Sequence, residues 1–190
     1  MTDPEHLGGF IHGGDDHSFT PWLWARLLER FKPLSLLDVG CGEGHAVKWF
    51  LEHGVDAYGV DGSEVAKAAG VIPEDRFLVH DFTTGPFPRA WWSYDLVWSC
   101  EFIEHLEEQH LPNALATLGH GLVVAMTAAA PWQGGHHHVN AQEMPYWIEK
   151  MEGIGFRYEK EFTEQTKHVP PEVMKTAYWG ISGMVFTRTR

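Results

Sequence analysis

A glycine-rich corner constrains the fold of this chain more than any other stretch of its 190 residues. The apolar run 36–39 includes Asp38 and is followed by glycines on alternate positions. These are Gly40, Gly42 and Gly44. The next segment, 45–53, has helical spacing, so the pattern predicts a buried strand, a loop and a helix in succession. Glycines there let the backbone approach a ligand closely, and the free N–H groups at the start of the helix point at it.

The spacing of these glycines and the charge of Asp38 indicate what kind of ligand the corner binds. The sequence reads G-x-G-x-G, whereas the motif that cradles a dinucleotide pyrophosphate reads G-x-G-x-x-G. A carboxylate two residues ahead of Gly40 repels a phosphate and attracts a cation. The corner therefore predicts a ligand that carries a positive amino group and no phosphate.

Strands alternate with helices along most of the chain, a pattern typical of a mostly parallel sheet covered on both faces. The predicted strands are 35–39, 55–60, 76–80, 94–99, 121–127, 156–162 and 181–187. The predicted helices are 21–31, 45–53, 64–69 and 142–153, with a further helical stretch between 99 and 118. The last two strands lack a convincing helix between them, which predicts an antiparallel hairpin at one edge. We predict an α/β fold with a Rossmann-like, seven-stranded, doubly wound sheet.

Composition narrows the class of protein. A hydrophobic share of 44% fits a soluble globular domain, and no apolar run approaches the length that crosses a bilayer. The first residues lack a secretory signal, and only two cysteines occur, which fits a reducing compartment. The formal charge of −12 disfavours nucleic acid and anionic membranes as partners. We therefore expect a cytoplasmic protein that acts without nucleic acid or a membrane; the sequence leaves its oligomeric state open.

Four motifs at successive predicted strand ends resemble those of the class I S-adenosylmethionine-dependent methyltransferases. They read LDVGCGEG at 37–44, VDGS at 60–63, HDF at 80–82 and YDLVWSCEFIEHL at 94–106. They stand in the order and at the separations usual for that family, over roughly residues 34–130. The resemblance implies S-adenosylmethionine as cofactor and methyl transfer as the activity. The alternative is a set of loop acids on a flavodoxin-like sheet that binds no nucleotide.

The resemblance also implies which residues bind the cofactor. Asp38 would neutralise the ammonium of the methionine part, Asp61 would accept hydrogen bonds from the ribose hydroxyls, and Asp81 would accept one from the adenine amino group. The full set implied is Asp38, Gly40, Cys41, Gly42, Asp61, Gly62, Ser63, Asp81, Phe82, Ser99 and Cys100. We expect no catalytic role for the two cysteines, since buried free thiols are commonly inert packing groups. Trp91 and Trp92 are predicted to pack in the core.

The segment Glu101, Glu104 and His105 is the second informative stretch. Residues four apart share a helix face, so we expect either a divalent-metal half-site or a hydrogen-bonded helix cap. The segment resembles two metal-assisted branches of the family, the ubiquinone-pathway catechol O-methyltransferases and the small-RNA terminal 2′-O-methyltransferases. That resemblance implies Mg, Mn or Zn bound by Glu101, Glu104, His105 and His137. Many members without a metal carry a similar segment, so both interpretations stay open.

The predicted function is methyl transfer to an oxygen of a small molecule or a sugar. An oxygen acceptor must lose its proton, and the expected catalytic residues are His137, His138, Glu101 and His105. The alternatives are a metal-assisted RNA-terminus 2′-O-methyltransferase and a non-catalytic S-adenosylmethionine-binding protein. We expect one domain over residues 1–190. Its parts are an arm and helix at 1–33 that either cover the cofactor as a lid or form a mobile terminus, a cofactor core at 34–130, and acceptor-side loops and edge strands at 131–190.

Overall fold

The fold is built on one seven-stranded sheet. The computed structural model describes residues 3–7, 9–88, 93–167 and 178–189, so Trp91 and Trp92 lie outside the described residues. The strands are β1 (Ser35–Val39), β2 (Asp56–Asp61), β3 (Phe77–Val79), β4 (Tyr94–Ser99), β5 (Gly121–Met126), β6 (Phe156–Tyr158) and β7 (Met184–Arg188). Their spatial order is β3-β2-β1-β4-β5-β7-β6.

The strand order reverses between β1 and β4, and this position defines the site. Strands β1 to β5 pair in parallel, with Leu36 beside Leu96 where β1 meets β4. The next strand, β7, runs antiparallel to both of its neighbours, β5 and β6. The predicted mostly parallel sheet with an antiparallel C-terminal edge is confirmed. In such sheets ligands bind outside the carboxyl ends of the strands, where the order reverses.

Helices cover both faces of the sheet. They are α1 (Pro21–Phe31), α2 (His45–Glu52), α3 (Glu64–Ala68), α4 (Leu111–Leu118), α5 (Met144–Gly153), α6 (Lys160–Lys167) and α7 (Tyr178–Ser182). Pro stands in the first turn of α1, α4 and α5, where its missing N–H costs no hydrogen bond. Within the described residues, none of these helices has the length and apolar character needed to cross a membrane.

Two predicted strands at the C-terminal edge were wrong in part: the strand predicted at 181–187 begins only at Met184, because residues 178–182 form α7. The strand predicted at 156–162 ends at Tyr158, and residues 160–167 form α6. Thr163 and Thr166 of α6 are buried and stand three residues apart, on one face of the helix. Thr163 Oγ1 accepts a hydrogen bond from Val185 N at 3.0 Å, and the Phe162 ring lies 5.3 Å from that of Phe31. These contacts stabilise a helix between the two edge strands where the sequence suggested none.

Two apolar cores lie on the two faces of the sheet. One contains the mutually packed indoles of Trp24, Trp98 and Trp179, with ring centroids 5.8–5.9 Å apart along the series. The other packs α4 and α5 against β1, β4 and β5. Fully buried β1 side chains serve both cores, because alternate residues of a strand face opposite sides.

Two leucines near the start of β1 test this arrangement. Leu36 is 0% exposed and Leu34 is 78% exposed. Leu36→Ala removes a side chain that packs on all sides, so we expect the free energy of unfolding to fall by about 2–5 kcal/mol. Leu34→Ala, the matched control, is expected to change it by less than about 0.5 kcal/mol. Urea denaturation measures both, and equal effects would contradict the fold.

Candidate functional site

A cavity of about 580 Å³ lies at the carboxyl ends of β1, β2 and β4. Its volume is in the range of small-molecule sites in proteins, roughly 300–1,000 Å³. Most residues that the sequence assigned to the cofactor line it, namely Asp38, Gly40, Cys41, Gly42, Asp61, Gly62, Phe82 and Cys100. The strand ends thus bring these residues to one place.

The glycine loop forms one wall of the cavity because its backbone adopts left-handed angles. Gly40 and Gly42 have φ of +76° and +52°, where a side chain is strained. A Cβ at Gly40 would also lie only 2.5 Å from the Phe102 side chain. The loop therefore needs glycine for its turn and for its close approach to the segment after β4.

Asp38 is the most buried of the acids that line the cavity. Asp38 is 3% exposed, and its side chain borders the cavity. Its carboxylate makes no hydrogen bond to any described residue. Burial, and then the charge of Asp61, raise the pKa of Asp38 well above its usual value. A cationic group in the cavity would favour the ionised form and remove that penalty.

Asp61 at the end of β2 is held by the two loops beside it. Its Oδ2 accepts a hydrogen bond from Gly42 N at 2.8 Å, and its Oδ1 accepts one from Ser63 N at 2.9 Å. Burial raises the pKa of Asp61 to about 6, although these N–H groups lower it. The carboxylate is oriented, and each oxygen keeps a second lone pair for a ligand hydroxyl.

Three residues assigned to the cofactor do not line the cavity. Ser99 is buried in the sheet and donates to Val39 O at 2.8 Å, so it joins β4 to β1. Ser63 caps α3, since its Oγ accepts a hydrogen bond from Ala66 N at 2.7 Å. Asp81 accepts two hydrogen bonds from Thr83, at 2.7 and 2.8 Å, and its other oxygen lies 3.1 Å from His6 Nε2. The structure thus gives each of them a local partner.

The helix face predicted to join Glu101 and His105 was wrong. Glu101 has a left-handed backbone (φ +49°), and its N–H donates to Thr127 Oγ1 at 3.0 Å. A single 3-10 turn, Ile103–His105, follows it. Glu101 and His105 nevertheless both line the cavity, while Glu104 lies behind them and is 0% exposed.

Glu104, His105 and His138 form a compact group. One ligand atom from each lies within 4.8 Å of the others, and the two imidazole rings are 5.0 Å apart. Neither carboxylate oxygen of Glu104 has a hydrogen-bond partner in good geometry. Burial, and then the charge of Glu101, raise the pKa of Glu104 well above its usual value. A buried carboxylate with free oxygens beside two imidazoles fits a divalent metal.

His137, which the sequence placed in the metal and catalytic sets, does not join this group. Its backbone is left-handed (φ +49°), and it lines an adjoining cavity of about 250 Å³, which shares His105 with the main cavity. Neighbouring side chains point apart here, so His138 takes the place beside His105 that was predicted for His137. His138 also lines the main cavity.

The ionisation of the cavity side chains follows from their burial. Burial raises the pKa of Glu101 to about 7, and the charge of Asp15 raises it further, while hydrogen bonds from Thr127 and Gln133 lower it. Burial lowers the pKa of His105 to about 4, with further contributions from the neighbouring histidines. At neutral pH, His105 is therefore uncharged and has a free lone pair.

The N-terminal arm, residues 3–20, supplies contacts that sequence reasoning missed. Gly13 N donates to both oxygens of the buried Glu43 at 3.1 Å. His12 Nδ1 and His45 Nε2 lie 2.8 and 3.3 Å from the same carboxylate. Burial raises the pKa of Glu43, and these hydrogen bonds outweigh that effect and lower it overall. The sequence did contain a signal for these contacts, namely the position of an acidic residue, Glu43, inside the glycine motif.

Comparison with known proteins agrees with the fold. A family model described as "Methyltransferase domain" matches residues 17–169. A probable chloroplastic tocopherol O-methyltransferase of Oryza sativa subsp. japonica is 33% identical over 87 residues. That alignment covers 41% of this chain and 24% of the rice protein, so the chain spans about a quarter of its relative.

Solved structures share the fold at lower identity. A TehB-like methyltransferase of Corynebacterium glutamicum is 20% identical with a TM-score of 0.66, covering 93% of this chain and 90% of that one. The sugar N-methyltransferase KedS8 of a Streptoalloteichus species is 17% identical with a TM-score of 0.67, covering 96% and 94%. The methyltransferase domain of bacterial CtHen1-C is 16% identical with a TM-score of 0.62, covering 93% and 100%.

The family model covers most of the chain, and the glycine loop and strand-end acids lie where the sheet order reverses. The chain belongs to the class I S-adenosylmethionine-dependent methyltransferases.

Proposed function

We propose that this chain transfers a methyl group from S-adenosylmethionine to a small acceptor in the 580 Å³ cavity. The observation that carries the proposal is the shared position of Asp38, Asp61 and the glycine loop on one cavity wall. A buried carboxylate with no hydrogen bond to any described residue suits an ammonium group, and an oriented carboxylate at the next strand end suits a ribose diol.

Each cofactor-side residue has a defined task in this proposal. S-adenosylmethionine supplies, when bound, a methyl group that is already activated on a sulfonium. Asp38 accepts hydrogen bonds from its ammonium, and Asp61 accepts them from its ribose hydroxyls. Gly40 and Gly42 let the backbone meet the methionine part, and Cys100 forms the wall at the end of β4.

The arm completes the enclosure of the cavity. Leu7 packs directly on Gly62, and Ser63 Oγ donates a hydrogen bond to Asp3. Gly9 lies against the His105 ring, and His136 Nε2 lies 2.7 Å from Glu5 O. An arm that touches both the adenine side and the histidine loop excludes water from the reacting groups. This supports the lid interpretation of the arm.

For the acceptor we retain an oxygen of a small molecule or a sugar. An acceptor hydroxyl needs a group that takes its proton within hydrogen-bond reach. Glu101, His105 and His138 line the cavity and offer such groups, whereas His137 does not line it. Since no lysine or arginine stands among the described residues that line the cavity, an RNA terminus has no phosphate partner there.

Replacing Asp61 tests the cofactor site. We expect Asp61→Asn to weaken S-adenosylhomocysteine binding by roughly ten- to a hundredfold, because an ionised hydrogen-bond acceptor is lost. In the parent protein the pKa of Asp61 is about 6, so the ionised carboxylate exists above that pH. Affinity should therefore fall as the pH drops below about 6, and this dependence should flatten in the variant. Isothermal titration calorimetry measures both effects.

Asp56 provides a matched control on the same strand. It lies at the opposite end of β2 and pairs with Arg76 on the surface. Asp56→Asn is expected to leave the affinity for S-adenosylhomocysteine and its pH dependence unchanged. If Asp61→Asn binds as tightly as this control, the proposed ribose contact is wrong.

A second candidate, metal-assisted methyl transfer, rests on the group formed by Glu104, His105 and His138. Their ligand atoms lie within 4.8 Å of one another, and around a small tetrahedral metal such atoms stand roughly 3.4 Å apart, so a modest closure suffices. A divalent metal would act as a Lewis acid toward the acceptor oxygen. His105 is neutral at pH 7, as a metal ligand must be.

Variants of the adjacent residues His137 and His138 distinguish a metal site from a hydrogen-bonded helix cap. With Mn²⁺ or Zn²⁺ at about 100 times the dissociation constant, the parent protein should melt roughly 5–10 °C higher. His138→Ala should lose that increase, because one of three ligands is gone. His137→Ala should keep it. Differential scanning calorimetry measures the shift, and an equal response of both variants would rule out the metal site.

A further inference from the structure

Acidic side chains and histidines line the cavity. Six carboxylates line it, and no lysine or arginine does so among the described residues. The acids are Asp15, Asp16, Asp38, Glu43, Asp61 and Glu101. Walls of one sign focus the field in a closed cleft and favour ligands of the opposite charge. The cavity is therefore suited to cations and unfavourable for acids and phosphates.

The cofactor accounts for only part of this charge. Asp38 and Asp61 stand beside the glycine loop, and Glu43 is satisfied by Gly13 and two histidines. Asp15 and Glu101 line the same cavity, and the charge of Asp15 raises the pKa of Glu101. We call Asp15, Glu101 and Tyr178 the acceptor group.

Glu101 presents an unused hydrogen-bond acceptor. Its Oε1 is buried and has no hydrogen-bond partner in good geometry among the described residues, and its Oε2 accepts a hydrogen bond from Gln133 Nε2 at 3.4 Å. A strained backbone at φ +49°, fixed by the hydrogen bond to Thr127 Oγ1, holds the residue in place. A buried carboxylate oxygen left unpaired in this way is costly unless a ligand donor meets it. The nearby Asp38, 3% exposed and without a hydrogen bond among described residues, points to the same need for cations.

Aromatic side chains line the same part of the cavity. The rings of Phe19 and Trp24 meet edge to face at 5.1 Å, and both residues line the cavity with Tyr178. Tyr178 N donates to His17 O at 3.3 Å, which places Tyr178 against the arm, and burial and then the charge of Asp15 raise the pKa of Tyr178. Aromatic rings beside carboxylates form a favourable environment for an ammonium group.

We propose that the acceptor carries a protonated amino group, which the Asp15–Glu101–Tyr178 acceptor group binds. This inference rests on the proposed methyltransferase function and names its substrate class as small amines, including amino sugars. The amino group is held by carboxylate oxygens of Asp15 and Glu101 and shielded by Phe19, Trp24 and Tyr178. Neutral acceptors of the same shape bind less tightly, and acids of the same shape are excluded.

Matched probes that differ only in charge test this proposal. The protein is first saturated with S-adenosylhomocysteine, and this binding is itself measured by calorimetry. Two series are then titrated by ligand-observed NMR: glucosamine, glucose and glucuronate, and tyramine, tyrosol and 4-hydroxyphenylacetate. In at least one series the amine should bind roughly ten- to a hundredfold more tightly than the alcohol, and neither acid should bind.

Two variants attribute the preference to its residues. Asp15→Asn and Glu101→Gln should bring the affinity for the amine down to that of the alcohol while the affinity for S-adenosylhomocysteine is kept. Glu29→Gln removes one charge from the exposed face of α1 and should keep the preference.

The other outcomes show which of the two proposals is wrong. Failure to bind S-adenosylhomocysteine overturns the proposed function itself. Normal S-adenosylhomocysteine binding without an amine preference in either series, or a preference that survives Asp15→Asn, overturns only the amine inference.

Discussion

Burial of carboxylates at one edge of the sheet is the constraint on which the rest of this structure depends. Asp38 is almost fully buried without a hydrogen bond among the described residues, and Asp61 is held only by loop N–H groups. Removing such charges from water is costly unless a cation or a set of donors replaces the water. The glycine loop, the reversal of strand order and the arm build the cavity that these carboxylates line, and the proposed cationic cofactor would remove this cost.

The arm and the segment after β4 extend this arrangement to the acceptor. Glu43, the acid inside the glycine motif, contacts Gly13 and two histidines. These contacts hold the arm over the cavity. Glu101 has a left-handed backbone, its N–H donates to Thr127 Oγ1, and the residue lines the cavity. The proposed cofactor, acceptor and metal groups adjoin one another, since Glu101 and His105 both line the cavity.

The sequence was sufficient wherever a residue's role follows from its place at a strand end. It predicted the parallel sheet, and most of the residues that it assigned to the cofactor line the cavity, because an apolar run followed by glycine or an acid is typical of a strand that ends at a ligand site. It could not show which way individual side chains face: Ser99 turns into the sheet, and Asp81 turns to Thr83 and His6. The choice of His138 over His137 depends on a left-handed backbone residue, and α6 depends on tertiary contacts of Phe162 and Thr163. No local pattern encodes those features.

The central claim is that buried acids at the ends of β1 and β2 bind S-adenosylmethionine beneath the arm. A crystal structure of the protein with S-adenosylhomocysteine tests it most directly. The account predicts the ligand's ammonium within about 3 Å of a carboxylate oxygen of Asp38 and its ribose hydroxyls at the same distance from Asp61. It also predicts residues 3–20 ordered across the ligand. A ligand bound outside this cavity, or bound in it without contact to either aspartate, would contradict the account.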